Sequence, residues 1–183
     1  MMNKIFYKHY VFLSQLNNLI EKNLLKFRNI NIIVNTNYNR DQYKKEENDI
    51  INFAKKNQIP FLIKNDMQKC IKYNADGIYI ESNNKSIIKP TLLKKKIIII
   101  GTAHNQLEYF YKKKQNCKII ALSPIFGNSK FSINKTLGPI KFNLISKNWN
   151  TTICALGGVN EANLKKVYLT KSSVIASQRY LTK

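Results

Sequence analysis

The chain has 183 residues, 44% of them apolar, and no stretch that reads as a linker, so a single domain over residues 1–183 with a full core is expected. Its formal charge is +21, yet only Arg28, Arg40 and Arg179 among 31 basic residues are arginine. Lysines spread evenly among abundant Asn and Ile describe a solvated basic surface that draws small phosphorylated anions, and they argue against nucleic acid, for which arginine is favoured. No uncharged apolar run of about 18 residues occurs and the N-terminus carries no signal-like core, so a cytoplasmic protein without a membrane partner is expected; Cys70, Cys117 and Cys154 lie far apart beside apolar segments and read as buried thiols rather than as a disulfide or zinc set.

Along the chain, Tyr10 to Leu13 reads as a first strand, followed by a helix with Leu16, Leu19, Ile20 and Leu24 at helical spacing. Ile30 to Val34 is the second strand, and the polar run 35–41 separates it from a helix around Ile50, Ile51, Phe53 and Ala54. Pro60 to Ile63 is the third strand, with a short helix from Asp66 to Tyr73; Gly77 to Ile80 is the fourth, followed by a lysine-rich helix around Leu92 and Leu93. The Ile97 strand is fifth, with a helix marked by Leu107, Phe110 and Tyr111; Ile119 to Leu122 is sixth, with a helix from Ile140 to Ile145. Ile153 to Leu156 is the seventh, Ala162 to Val167 a helix, and Ser173 to Ala176 the eighth strand.

Eight alternations imply a compact (β/α)8 TIM barrel whose last helix is truncated, since few residues follow the eighth strand; an open doubly wound sheet is the alternative. The segment Ile97 to Asn105 shows how such a fold makes a site. A charge-free β-branched run is buried on both faces, Gly101 lets the backbone turn, and Thr102, His104 and Asn105 bring polar groups to the carboxyl edge of the sheet. The same grammar recurs at Phe61 to Asp66, Ile119 to Pro124 and Thr152 to Val159.

Ile59 to Asp66, Ala75 to Tyr79, Ile99 to Asn105, Ser123 to Phe126 and Ala155 to Val159 follow one another in the order and approximate spacing of the thiamine phosphate synthase/TenI family, which this chain resembles from about Ile59 to Ala176. The resemblance implies a (β/α)8 barrel in thiamine biosynthesis that binds small phosphorylated heterocycles. Family synthases join a pyrimidine methyl pyrophosphate to a thiazole phosphate and release pyrophosphate with the help of Mg²⁺. Carried over, Asn65 resembles a pyrophosphate contact, Asp66 a Mg²⁺ ligand, Thr102 the small hydroxyl beside the pyrimidine and Lys130 a pyrophosphate-holding lysine. Gly157, Gly158, Ala176 and Ser177 resemble a backbone nest for the thiazole phosphate, while Asn35 and His104 fall on substrate-facing positions.

Three departures set this chain apart from the pattern. Asn35 to Asn39 stands where the family usually has Gln, Arg and Lys in close succession, the second metal-binding aspartate falls on Asn84, and the loop after the sixth strand is shortened to Gly127-Asn128-Ser129-Lys130. Arg40 and Glu81 are the residues that could compensate. The histidine that the TenI-type isomerases place near the sixth strand is here Pro124. The alternative to a synthase is therefore a catalytically impaired, TenI-like ligand-binding or regulatory protein. Each position also has a plainer reading: an N-cap for Asp66, a turn-tethered imidazole for His104, a surface cation for Lys130.

Overall fold

A computed structural model describes residues 8–27, 29–35, 41–87, 96–127 and 133–178. Eight parallel strands close into a barrel in sequence order, with β1 hydrogen-bonded to both β2 and β8. The strands are β1 (Lys8–Leu13), β2 (Ile30–Val34), β3 (Phe61–Lys64), β4 (Gly77–Ile80), β5 (Ile98–Ala103), β6 (Ile119–Leu122), β7 (Thr152–Leu156) and β8 (Val174–Ser177). The helices are α1 (Asn18–Lys26), α2 (Asp41–Lys56), α3 (Met67–Lys72), α4 (Gln106–Lys114), α5 (Gly138–Ile145) and α6 (Leu164–Val167), the last a single turn entered through a 3₁₀ turn at Glu161–Asn163. Closure excludes the open doubly wound sheet. The lysine-rich helix expected around Leu92 and everything from residue 179 onward lie outside the described residues.

Alternation along the strands divides the core in two. Tyr10, Ile33, Leu62, Tyr79, Ile100, Ala121, Cys154 and Ala176 fill the barrel interior, while Val11, Ile32, Ile63, Ile78, Ile99, Ile120, Ile153 and Ile175 pack outward against the helices. All strands run the same way, so every carboxyl end opens on one rim. Asx residues start the helices behind that rim: Asn17 accepts from the Ile20 amide at 2.9 Å, Asp66 from the Lys69 amide at 2.9 Å and Asn105 from the Glu108 amide at 2.9 Å. Asn74 (φ 53°) and Asn116 (φ 58°) take the left-handed turn after α3 and α4 that a glycine more often supplies.

The faces of some helices differ from the expected ones. On α4 the buried residues are Tyr109 and Lys112, whereas Leu107, Phe110 and Tyr111 are exposed. Trp149 stacks on Tyr109 at 4.5 Å and donates its indole N–H to Gln106, and this pairing holds the Tyr109 face inward and leaves Leu107 and Phe110 outward. Leu19 of α1 and Ile140 and Leu144 of α5 are likewise exposed. The three cysteines are buried free thiols, as expected.

Candidate functional site

At the β7–β8 side of the rim the backbone dominates. Gly157 (φ 94°) and Gly158 (φ 68°) both occupy left-handed conformations. A Cβ on Gly157 would lie 2.8 Å from the Pro124 Cα, and one on Gly158 would lie 2.5 Å from the Phe126 carbonyl oxygen and 2.6 Å from that of Gly127. Conformation and space both demand glycine at the two positions. The turn is tied to the β6 loop by the Ile125 amide on the Leu156 carbonyl (2.9 Å) and the Phe126 amide on the Gly157 carbonyl (3.0 Å), and the Asn163 side-chain amide donates to the Gly158 carbonyl at 2.7 Å. Ala176 pairs with Leu156, which places Ala176 and the buried Ser177 on the strand next to the glycines. The four residues expected to form a phosphate nest thus sit on adjoining strand ends.

The β3–β4 side is built of side chains. Asn65 has a left-handed backbone (φ 57°), and its side-chain oxygen accepts from the Glu81 amide (2.9 Å) and from Asn84 Nδ2 (3.3 Å). Its Nδ2 donates to Glu81 Oε2 at 2.7 Å, while Lys64 Nζ lies 3.2 Å from Glu81 Oε1. Asp66 caps α3, and Asn84 Oδ1 accepts from the Ser86 amide at 2.9 Å. Among the described residues no group of three or more His, Cys, Asp or Glu is disposed to hold a metal. Both carboxylates already have partners, Asp66 the Lys69 amide and Glu81 the Lys64 and Asn65 side chains, so a cation here would need most of its oxygens from a ligand.

Thr102 lies within β5 rather than beyond it, and its hydroxyl is hydrogen-bonded to the Tyr79 phenol in the barrel interior. Burial raises the Tyr79 phenol well above its ordinary range, so the pair carries protons rather than charge. Burial likewise raises Tyr10, whose hydroxyl is enclosed without a hydrogen-bond partner among the described residues. His104 stands where β5 gives way to α4. Its Nδ1 is 2.7 Å from the Ser123 carbonyl oxygen, which can only accept, so Nδ1 carries the proton. Asn35 follows β2, half-buried, with its amide on the Leu13 carbonyl at 2.8 Å. Lys130 and Arg40 lie outside the described residues.

The sequence reading missed a buried lysine. Lys112 has no solvent exposure, and its ammonium donates to the carbonyls of Glu81 (2.6 Å) and Asn84 (2.9 Å) and to Gln115 Oε1 (2.9 Å). Gln115 Nε2 completes the clamp on the carbonyls of Asn84 (3.0 Å) and Ser86 (2.8 Å). Desolvation lowers the lysine's pKa. Gly101 makes this possible and corrects its expected role as a turn. It lies inside β5, where a Cβ would meet Lys112 Cδ at 2.6 Å and Cys117 Sγ at 2.7 Å. A glycine in mid-strand, facing a lysine on the following helix, was the available signal.

Comparison with known proteins agrees with this architecture. A model of the thiamine monophosphate synthase family, TMP-TENI, matches residues 9–181. The chain is 28% identical over 123 residues to the thiamine-phosphate synthase of Staphylococcus haemolyticus, covering 65% of this chain and 57% of that protein. It is 30% identical over 129 residues to the Flavobacterium psychrophilum thiamine-phosphate synthase, covering 67% of this chain and 63% of the other. The matched stretches therefore span less than two thirds of those relatives' own length. In fold, the chain resembles the thiamine phosphate pyrophosphorylase of Pyrococcus furiosus with a TM-score of 0.71 at 16% identity, covering 96% of this chain and 87% of that structure. With the family match running through nearly the whole barrel, the chain belongs to the thiamine monophosphate synthase family.

Proposed function

We propose that the protein is a divergent thiamine phosphate synthase that binds a thiazole phosphate and couples it to a pyrimidine methyl pyrophosphate, releasing pyrophosphate. The observation that carries this reading is the paired left-handed glycines at the β7 rim beside Ser177, a geometry suited to a phosphate approaching backbone groups closely. Gly157, Gly158, Ala176 and Ser177 hold the thiazole phosphate. Asn65 and Lys130 receive the pyrophosphate, with Asn35 and His104 as further substrate contacts. Thr102, fixed by Tyr79, orients the pyrimidine from below.

In the reaction the bond from the pyrimidine methylene carbon to the pyrophosphate oxygen breaks, the electron pair leaves with pyrophosphate, and the thiazole nitrogen supplies the pair that forms the new bond. The protein's task is to hold the two partners in line and to receive the departing charge. Asp66, together with ligand oxygens, would hold Mg²⁺, whose charge would add to the neutralisation of the departing pyrophosphate. Such an enzyme works as a single barrel domain in the cytoplasm, where its charged substrates are confined.

A second reading, an impaired TenI-like ligand-binding or regulatory protein, is favoured by two features: Asn65 is engaged by Glu81, and an amide rather than a carboxylate stands at position 84. Thiamine phosphate formation by purified protein with both substrates and Mg²⁺ separates the two. Product formed in an enzyme-dependent way supports the synthase; thiazole phosphate binding without product supports the second reading.

A further inference from the structure

The chain has only ten acidic residues against 31 basic ones, and one of the ten stands at the β4 rim with its carboxylate on two donors. Glu81 takes Asn65 Nδ2 on one oxygen at 2.7 Å and Lys64 Nζ on the other at 3.2 Å. An ammonium and an amide N–H converging on two oxygens of one group is also how a phosphate is gripped. We propose that Glu81 is a resident competitor, its carboxylate filling the anion subsite between Lys64 and Asn65 until a phosphate-bearing ligand displaces it. The proposal rests on the reading of this rim as a pyrophosphate subsite.

Three features make displacement feasible. The donors are fixed: Asn65 cannot turn its amide without giving up the Glu81 amide and Asn84 on its oxygen, and the Lys64 side chain is only 15% exposed. The competitor is the exposed partner, with 42% of the Glu81 side chain open to solvent. Its backbone is held on both sides, by the Glu81 amide on Asn65 Oδ1 and by Lys112 Nζ on the Glu81 carbonyl. The carboxylate can therefore swing out by side-chain rotation alone while the rim keeps its shape. Partial exposure weakens the ion pair, so its displacement by a more highly charged anion costs little.

Calorimetry with inorganic pyrophosphate tests this, run once in EDTA and once in Mg²⁺, on the wild type, Glu81→Gln, Glu81→Ala and Glu81→Ala with Lys64→Met. In EDTA both single variants are expected to bind about tenfold more tightly than the wild type, the order of one charge-assisted contact. Adding Lys64→Met should erase the gain. Equal or weaker binding by both single variants in EDTA overturns the competition, and so does weakening confined to Mg²⁺, which would assign the carboxylate to the cation. If no protein in the set binds pyrophosphate, the subsite reading itself falls. Thermal melting identifies a variant that has failed to fold, and Glu81→Gln, which keeps the side chain's shape, then decides the question.

Discussion

The two sides of the barrel mouth, both proposed to receive negative charge, are built from different materials. At β7–β8 the groups are main chain, on glycines whose space is closed by neighbouring carbonyls and by Pro124. At β3–β4 they are side chains in a network of Lys64, Asn65, Glu81 and Asn84, braced from below by Lys112 and Gln115. The first construction tolerates almost no change, because any Cβ collides with backbone. The second can drift one residue at a time, and one of this chain's departures from the family pattern, Asn84, lies there. A side-chain site can be re-tuned; a backbone site is kept or lost.

The largest effect is expected from Gly158→Val, which attacks the backbone side. Left-handed strain alone costs about 1–3 kcal/mol and the contacts at 2.5 and 2.6 Å add to it, so thiazole phosphate binding measured by calorimetry should vanish and the melting temperature should fall. Binding as strong as in the wild type would reject the nest.

Lys112→Met strikes the brace of the other side. It strips a charged donor from two rim carbonyls and should destabilise the protein by about 1–3 kcal/mol, with pyrophosphate affinity falling while thiazole phosphate affinity holds. The pH dependence carries a sign. The lysine's folded pKa lies below the 10.5 of an unfolded lysine, so the unfolded chain binds more protons in that window and wild-type stability rises with pH there. Denaturant titrations should show that rise missing from Lys112→Met. Cys117 acts in the opposite sense: burial pushes its thiol from 9.0 up to about 12, so above pH 9 ionisation of the unfolded thiol draws stability down in both proteins.

Asn84→Asp sharpens the contrast rather than breaking it. A carboxylate there faces the Asn65 side-chain oxygen instead of donating to it, and it adds an oxygen ligand for a cation. Pyrophosphate binding should become more dependent on Mg²⁺, by roughly tenfold between EDTA and Mg²⁺ relative to the wild type. An unchanged ratio would remove Asn84 from the metal question.

The smallest structural effect belongs to His104→Asn, whose amide can replace the Nδ1 donor to Ser123. Stability should change by less than about 1 kcal/mol. A hundredfold or larger loss of turnover at intact stability would give the imidazole a role in acid–base chemistry.

The barrel was legible in the sequence because each β-branched run had to be covered on both faces, and eight of them in series left few topologies. The demand for glycine at positions 157 and 158 was legible too, since adjacent glycines at the end of a buried strand announce a main-chain requirement. The faces of α4 were not: Leu107 and Phe110 look like core residues, but the Tyr109–Trp149 stack and the Lys112 clamp set the helix rotation. Nor was the Glu81 network, because its pairs lie 16 and 17 residues apart and exist only once β3 and β4 are side by side. Reading Gly101 as a turn failed for a related reason, its neighbour Lys112 being supplied by the next helix.

Lys112 also gives the molecule a built-in reporter. Acylating reagents and trypsin meet lysines over the surface of this protein, yet the Lys112 amine is fully enclosed and hydrogen-bonded under the rim. In a mass-spectrometric footprint it should remain unlabelled for as long as the 81–86 segment stays seated. The rate at which it acquires label would time the opening of that segment, with ligand present or absent, without introducing any probe.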